Sequence, residues 1–239
     1  MSKEEMPASV PGLPEGASPT PEQTTWGVGP WQGEWPEDAG TPEQPNPDSI
    51  LDPELLTNGD TRNVLDKFRY WKMDAIIAEL DRRRHKYHVA IENWQHDLNI
   101  GSIVRTANAF LAAEVHIIGN RRWNRRGAMV TDRYQHVSHH PTVEEFVEWA
   151  KTGGEGGKAI PIIAIDNVPG CKKIEEYSLP EECVLLFGQE GPGLSDAAIE
   201  AAEVVLEITQ FGSTRSINAS AAAAITMHCW VEEHVFKRR

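Results

Sequence analysis

Four clusters in this 239-residue chain have residue types and spacings suited to chemistry. Gly188-Gln189-Glu190-Gly191-Pro192-Gly193 puts three glycines and a proline into one turn, which brings bare backbone N–H groups within reach of a ligand. A second irregular loop, Thr209–Ser216, follows the next apolar run. Asn99, Ser102, Arg105 and Asn108 recur every third residue and form a polar row on a helix. Asn120–Gly127 holds Arg121, Arg122, Arg125 and Arg126 with Trp123 and two asparagines. Arginine pairs bidentately with phosphate and stacks on bases, and tryptophan stacks as well, so this cluster reads as a nucleic-acid contact. Its plainer reading is a solvated arginine loop with the tryptophan tucked into the core. No metal site is expected: His136, His139 and His140 have no carboxylate or cysteine at ligand spacing and read as surface histidines.

These clusters need elements to hold them. Val184–Phe187 reads as a strand delivering the glycine turn, and Val204–Ile208 as one delivering the second loop. Ser195 is an N-cap for a short helix to Ala202, and Ile217–Val231 reads as a helix apolar nearly all round, hence buried. His88–Trp94 is a strand leading to Asn93 and Asn99. The helix Asn99–Leu111 carries its core stripe on Ile100, Ile103, Val104, Ala107 and Phe110. Val115–Gly119 is a further strand, and Thr142-Val143-Glu144-Glu145 a capping box that starts a helix to about Lys151. Ala159–Asp166 reads as a strand whose Pro161 predicts an edge or a bulge. Strands alternating with helices predict an α/β domain with a mostly parallel sheet, and polar loops at strand carboxyl ends are where such sheets bind ligands.

Composition divides the chain. The net charge is −13, but residues 1–60 hold 12 acids and one lysine, leaving 24 acids and 22 bases for the rest. The near-neutral body keeps a nucleic-acid partner open. Residues 1–60 also hold 11 of the 16 prolines and lack periodicity, which predicts a disordered acidic tail. Its Trp26, Trp31 and Trp35 read as incidental aromatics or as a docking motif for a protein partner. Residues 61–86 read as an N-terminal helical extension, with the body at 87–239. The extension closes on Arg82-Arg83-Arg84-His85-Lys86, which either compensates a helix C-terminus or touches phosphate. Three dispersed cysteines imply a reducing compartment. With no apolar run of membrane-spanning length and no signal peptide at Met1–Glu5, the expected location is cytoplasmic, away from membranes.

Three segments together resemble one family. Asn93 with Asn99–Phe110, then Leu186–Leu194, then Ile208, Gly212 and Ser216–Ser220 resemble, in order, the three motifs of the SpoU/TrmH RNA methyltransferases of the SPOUT superfamily. The resemblance covers residues 86–236. It departs at Leu111, where the family usually has glycine, and at Thr209-Gln210-Phe211, which replaces a Pro-Met-x. It implies a deep C-terminal trefoil knot, S-adenosylmethionine (SAM) as cofactor, a homodimer, and methylation of a ribose 2′-hydroxyl in tRNA or rRNA. It also implies cofactor contacts around Gly188, Glu190, Gly193, Ile208 and Ile217, and active-site roles for Asn99, Arg105, Glu190, Ser216 and Asn218.

Methylating a ribose hydroxyl demands positioning and proton removal. A guanidinium is not deprotonated in proteins, so Arg105 is read as an electrostatic clamp. The proton then leaves to phosphate, water or Glu190. Two rival classes are an inactive RNA-binding scaffold of the same fold and a nucleotide-binding enzyme using the glycine turn as a phosphate loop. The first is disfavoured by the presence of all the active-site residue types. The second lacks both the P-loop lysine and a GxGxxG that opens a helix.

Overall fold

The computed structural model describes residues 27–95 and 99–236, which divide into two compact units at Glu79/Leu80. Trp26, the rest of residues 1–26 and the start of the chain lie outside the described residues.

The first unit corrects the expectation of a disordered tail. From Gly27 to Asp60 the chain folds around a small core of its own. Ala39, Leu56 and Tyr70 are buried, with Val28, Trp31, Leu51 and Leu55 packed on them. Trp31 meets Tyr70 edge-on at 5.5 Å, so it is a core residue here and not an incidental one. Helix α1 (Pro53–Asn58) is capped by the Asp52 carboxylate and stops at Gly59 (φ +90°). The expected 61–86 helix is interrupted: a 3₁₀ turn at Asp66–Phe68 precedes a shorter α2 (Met73–Asp81).

Asp60 holds this unit together. Its fully buried carboxylate accepts from the Arg62 N–H, Nε and Nη2 and from the Tyr70 N–H. Burial alone would raise its pKa, but these hydrogen bonds and the Arg62 charge outweigh it and hold the carboxyl below its ordinary 3.8. A depressed carboxyl pKa stabilises the fold above the unfolded value, so this contribution is lost as pH falls from about 4 through the folded pKa. Asp60→Ala should cost about 3 kcal/mol in urea unfolding followed at the first unit, and should open residues 27–79 to protease. Truncation at Asp60, harmless to a disordered tail, would instead remove Trp31, Leu51 and Leu56 from this core.

The second unit is a seven-stranded sheet in which, among the described residues, every strand pair is parallel. The chain runs β1 (His88–Asn93), α3 (Asn99–Ala109), β2 (Val115–Gly119), β3 (Val137–His140), α4 (Val143–Ala150), β4 (Ile162–Ile165) and β5 (Lys172–Lys173). It continues through β6 (Val184–Phe187), α5 (Asp196–Ala201), β7 (Val204–Glu207) and α6 (Ala219–Val231), and ends in a π-helical turn, Glu232–Phe236. The strand order is β3-β2-β1-β6-β4-β7-β5.

Alternation along the strands builds a core on each face. Val89, Ile91, Ile117, Ile163, Leu185 and Phe187 share one cluster with α3 and α6 residues such as Ile103, Met227 and Trp230. Ala90, Ile118, Ile162, Ala164, Val184 and Leu186 pack with Phe146 of α4 and Ala198 of α5. From the adjacent strands β1 and β6 the chain leaves for opposite faces and opposite edges, through α3 to β2 and through α5 to β7. This is a topological switch point, with its crevice outside the strand carboxyl ends.

Other expectations change in detail. Pro161 precedes β4, which lies inside the sheet between β6 and β7, so it marks neither an edge nor a bulge. Strand β3 was not foreseen, and His140 within it is buried. Helix α6 begins at Ala219 instead of Ile217 and buries one face only: Ala223, Met227, Trp230 and Val231 are inside, while Ala221, Ile225 and His228 are exposed. Leu111 adopts φ +52°, which explains why glycine suits that position; a leucine there costs about 1–2 kcal/mol. Among the described residues, no helix is long and apolar enough to cross a membrane.

Candidate active site

The loops that follow β1, β6 and β7 converge at the switch point. Asn99, first residue of α3, donates from Nδ2 to Glu190 Oε2 at 2.6 Å. Asn218 donates from Nδ2 to the same oxygen and to Asn99 Oδ1, each at 2.9 Å. The Asn218 side-chain oxygen meanwhile caps α6, accepting from Ser220 N–H (3.0 Å), Ser220 Oγ (2.6 Å) and Ala221 N–H (3.3 Å). One amide therefore starts the helix and orients the carboxylate. All three groups reach solvent.

The glycine turn closes on itself. Gln189 and Gly193 exchange both backbone hydrogen bonds, at 3.2 and 3.1 Å, and Gly191 (φ +97°) and Gly193 (φ +75°) take the left-handed conformations that this needs. The turn is tied to β1 by two side chains. Gln189 Oε1 accepts from Trp94 N–H (2.9 Å) and Gln95 N–H (2.7 Å). Buried Glu92 accepts from Ser195 N–H and Oγ, each at 2.7 Å, and from Trp94 Nε1. A charged residue inside an otherwise apolar strand was the available signal for Glu92.

A cleft of about 590 Å³ opens beside the turn, within the size range of small-ligand sites. Gly188, Glu190, Gly193, Ile208, Ser216, Ile217 and Asn218 all line it. Sequence reasoning missed Asp166, whose carboxylate accepts from Leu194 N–H (2.9 Å) and Asn167 N–H (2.8 Å), and Arg215, which also lines the cleft. A polar pair at the carboxyl end of β4 was the signal, by the rule already applied to β6 and β7. Arg105 stands apart. It is exposed, about 9 Å further along α3 than Asn99, and is not in the cleft lining.

The arginine cluster forms a loop over α3. Gly101 lets it approach: a Cβ there would lie 2.8 Å from both Asn124 O and Ala128 N. Buried Asn93 anchors the loop through Nδ2 to Asn120 O (2.6 Å) and Arg122 O (2.9 Å). Arg121, Arg122, Arg125 and Arg126 are all exposed. Trp123 packs partly on the core with Arg125 over its ring at 5.4 Å, and Arg125 also pairs with Asp132 at 3.3 Å.

The SpoU rRNA methylase family model matches residues 86–228, more than half of the chain, and so takes in the β1, β6 and β7 loops. The chain belongs to this family. Among SpoU relatives, it is 30% identical over 163 residues to the tRNA (guanosine(18)-2'-O)-methyltransferase of Escherichia coli, covering 67% of this chain and 68% of that one. Identity to the enzyme of the same name from Thermus thermophilus is 25% over 156 residues, covering 62% and 75%. The fold matches the SpoU methyltransferase AviRb of Streptomyces viridochromogenes, solved with AdoMet, with a TM-score of 0.57 at 22% identity. That match takes in 66% of this chain, which spans 61% of the length of AviRb. The A. aeolicus TrmH/SpoU tRNA modifying enzyme matches with a TM-score of 0.59 at 18% identity, covering 70% and 84%.

The cleft of this SpoU protein fits SAM on its own chemistry. Phe187, Ile208 and Ile217 give it an apolar wall, and Asp166, Glu190 and Glu207 give it carboxylates that suit a cationic ligand. Gln210 also lines it, and its Oε1 is a buried acceptor without a partner, open to an N–H donor. Gly188, Gly191 and Gly193 line the cleft, and Gly188 has a second part in the turn itself. A Cβ on Gly188 would lie 2.3 Å from Gly193 C and 2.4 Å from Leu194 N, so Gly188 is needed for the turn to close. Gly188→Ala should therefore lower SAM affinity at least about tenfold and also lower the melting temperature, by about 1–3 kcal/mol of stability. Calorimetry and thermal unfolding check both. Lost affinity with unchanged melting would contradict a role in turn closure.

Proposed function

We propose that this chain is a SAM-dependent RNA methyltransferase acting on a ribose 2′-hydroxyl of tRNA or rRNA. The observation that carries this is the meeting of Asn99, Glu190 and Asn218, from three separate loops, beside a cleft whose residues fit SAM. Bound SAM supplies an electrophilic methyl group. The chain's own residues position the acceptor and manage its proton. Asn99 and Asn218 hold Glu190 Oε2 with two N–H donors, which fixes the carboxylate before substrate arrives. Arg105, always charged, stabilises the developing alkoxide and grips an RNA phosphate, and the hydroxyl proton leaves to that phosphate, to water or to Glu190. The exposed arginines of 121–126 supply phosphate contacts.

We also read the loops after β6 and β7 as the crossing of a trefoil knot. The exposed apolar face of α6, with Ala221 and Ile225, is read as a homodimer surface. The expected location is cytoplasmic. A partner docking on the tryptophans is now confined to Trp35 among the described residues, because Trp31 is committed to its own core.

Transfer of labelled methyl from SAM to tRNA and to rRNA, followed by nuclease digestion to 2′-O-methyl nucleosides, tests the activity. Label on neither RNA would point to the inactive scaffold. In the same assay, Arg121→Ala with Arg126→Ala should weaken RNA binding and flatten its salt dependence by about two units of slope, leaving SAM affinity unmoved. An unchanged slope would return the cluster to a solvated loop.

A further inference from the structure

A polar cluster that methyl transfer does not use crosses the sheet diagonally, from the start of β1 to the end of β3. His88 opens β1, His116 lies in β2, and His140 closes β3, all on the face covered by α4. Their rings run in a line across the strands. His88 Nδ1 is 3.0 Å from His116 Nε2, and His116 Nδ1 is 3.0 Å from His140 Nε2. The Trp149 ring of α4 lies against His116, tilted by 38° with ring centroids 3.9 Å apart. Glu114, just before β2, brings a carboxylate oxygen to 3.9 Å from His116 Nε2. Its other oxygen accepts from the Ser138 hydroxyl.

We propose that His88 Nδ1, His116 Nε2 and the Glu114 carboxylate form a binding site for a divalent transition metal of the zinc class. The three ligand atoms lie within 4.8 Å of one another. Tetrahedral zinc with bonds of about 2.0–2.1 Å needs its ligand atoms about 3.3 Å apart, so the 3.0 Å pair opens slightly and the 3.9 Å pair closes. Two imidazoles and a carboxylate are a known zinc donor set that leaves a fourth position for water. His88 and Glu114 are only partly buried, so that position reaches solvent.

Proton placement supports the site. When His116 donates from Nδ1 to His140 Nε2, its Nε2 lone pair faces His88 and Glu114, and His140 thereby fixes the tautomer that a ligand needs. Without metal, His88 Nδ1–H donates to that lone pair. With metal, His88 moves its proton to Nε2 and both nitrogens coordinate. The site would tie the start of β1 to β2, at the opposite end of β1 from Asn93.

Zinc titration of the tag-free full-length protein, stripped with EDTA, tests this by calorimetry, with Co²⁺ absorption to report a tetrahedral site. One site with Kd below about 1 μM is expected, and zinc should raise the melting temperature. His88→Gln and Glu114→Gln, which preserve size and hydrogen bonding, should each weaken zinc at least about tenfold while leaving SAM affinity unmoved. Absence of micromolar binding would overturn the proposal, and so would a zinc site that neither substitution weakens.

Discussion

Asn218→Ala should reduce single-turnover methyl transfer at least about 100-fold, because it removes two donors from the positioning of Asn99 and Glu190. It should also cost about 1 kcal/mol of stability through the lost cap on α6. The two losses can be separated. Asp caps helices as well as Asn does, so Asn218→Asp should keep the wild-type melting temperature. It offers no N–H to Glu190, however, and places a second carboxylate beside it, so its rate should fall as far as that of the alanine variant. Thermal unfolding and rapid-quench rates at saturating RNA and SAM measure the pair. An aspartate variant as fast as wild type would show that the Asn218 amide donors do nothing for the reaction.

Arg105→Ala should lower the single-turnover rate by about 10²–10³-fold, the usual cost of deleting a fixed group that faces developing negative charge. Arg105→Lys keeps the charge and loses the planar fork, so its rate should fall substantially yet stay measurable, with a pH profile parallel to wild type. If Arg105 were instead the base, lysine, with a reference pKa of about 10.4, would deprotonate more readily, and the variant's rate would climb towards wild type in alkaline buffer. Recovery at high pH with wild-type RNA affinity would defeat the clamp, and equal rates for Arg105→Ala and wild type would defeat both roles. The exposed position of Arg105 outside the cleft fits a group that meets the RNA strand before it meets the cofactor.

Five of the seven strands were readable because they are short apolar runs that end at glycine or polar loops, whereas β3 (Val137-Ser138-His139-His140) and β5 (Lys172-Lys173) carry no such signal. The site was readable because all three motif loops begin at such ends. The motif residues Asn99, Glu190 and Asn218 do meet in space. What stayed hidden depends on packing across the chain. The Gly27–Asp60 segment has too few apolar residues for any periodicity, yet Trp31, Leu56 and Tyr70 suffice for a small core once Asp60 is satisfied by Arg62 and Tyr70. His140 looked like a surface residue because nothing local shows that β3 pairs with β2 and faces Phe146 and Trp149. The near-uniform apolarity of α6 says that both faces can be covered, not that one chain covers them. The glycine turn was legible as a loop beside the cleft, but its closing contacts were not, since only the folded loop reveals Gly193 and Leu194 pressed against Gly188.

Gly101 has a consequence for how substrate and cofactor communicate. With no side chain between them, the 124–128 backbone rests directly on α3, and the helix and the arginine loop pack as one body. Any tilt of that body moves Asn99 and Arg105 together with Arg125 and Arg126. A tilt favoured by bound RNA therefore presents a different Asn99 to Glu190, and a tilt favoured by SAM presents different arginines to RNA. Thermodynamic linkage makes the two effects equal: the factor by which RNA changes SAM affinity is the factor by which SAM changes RNA affinity.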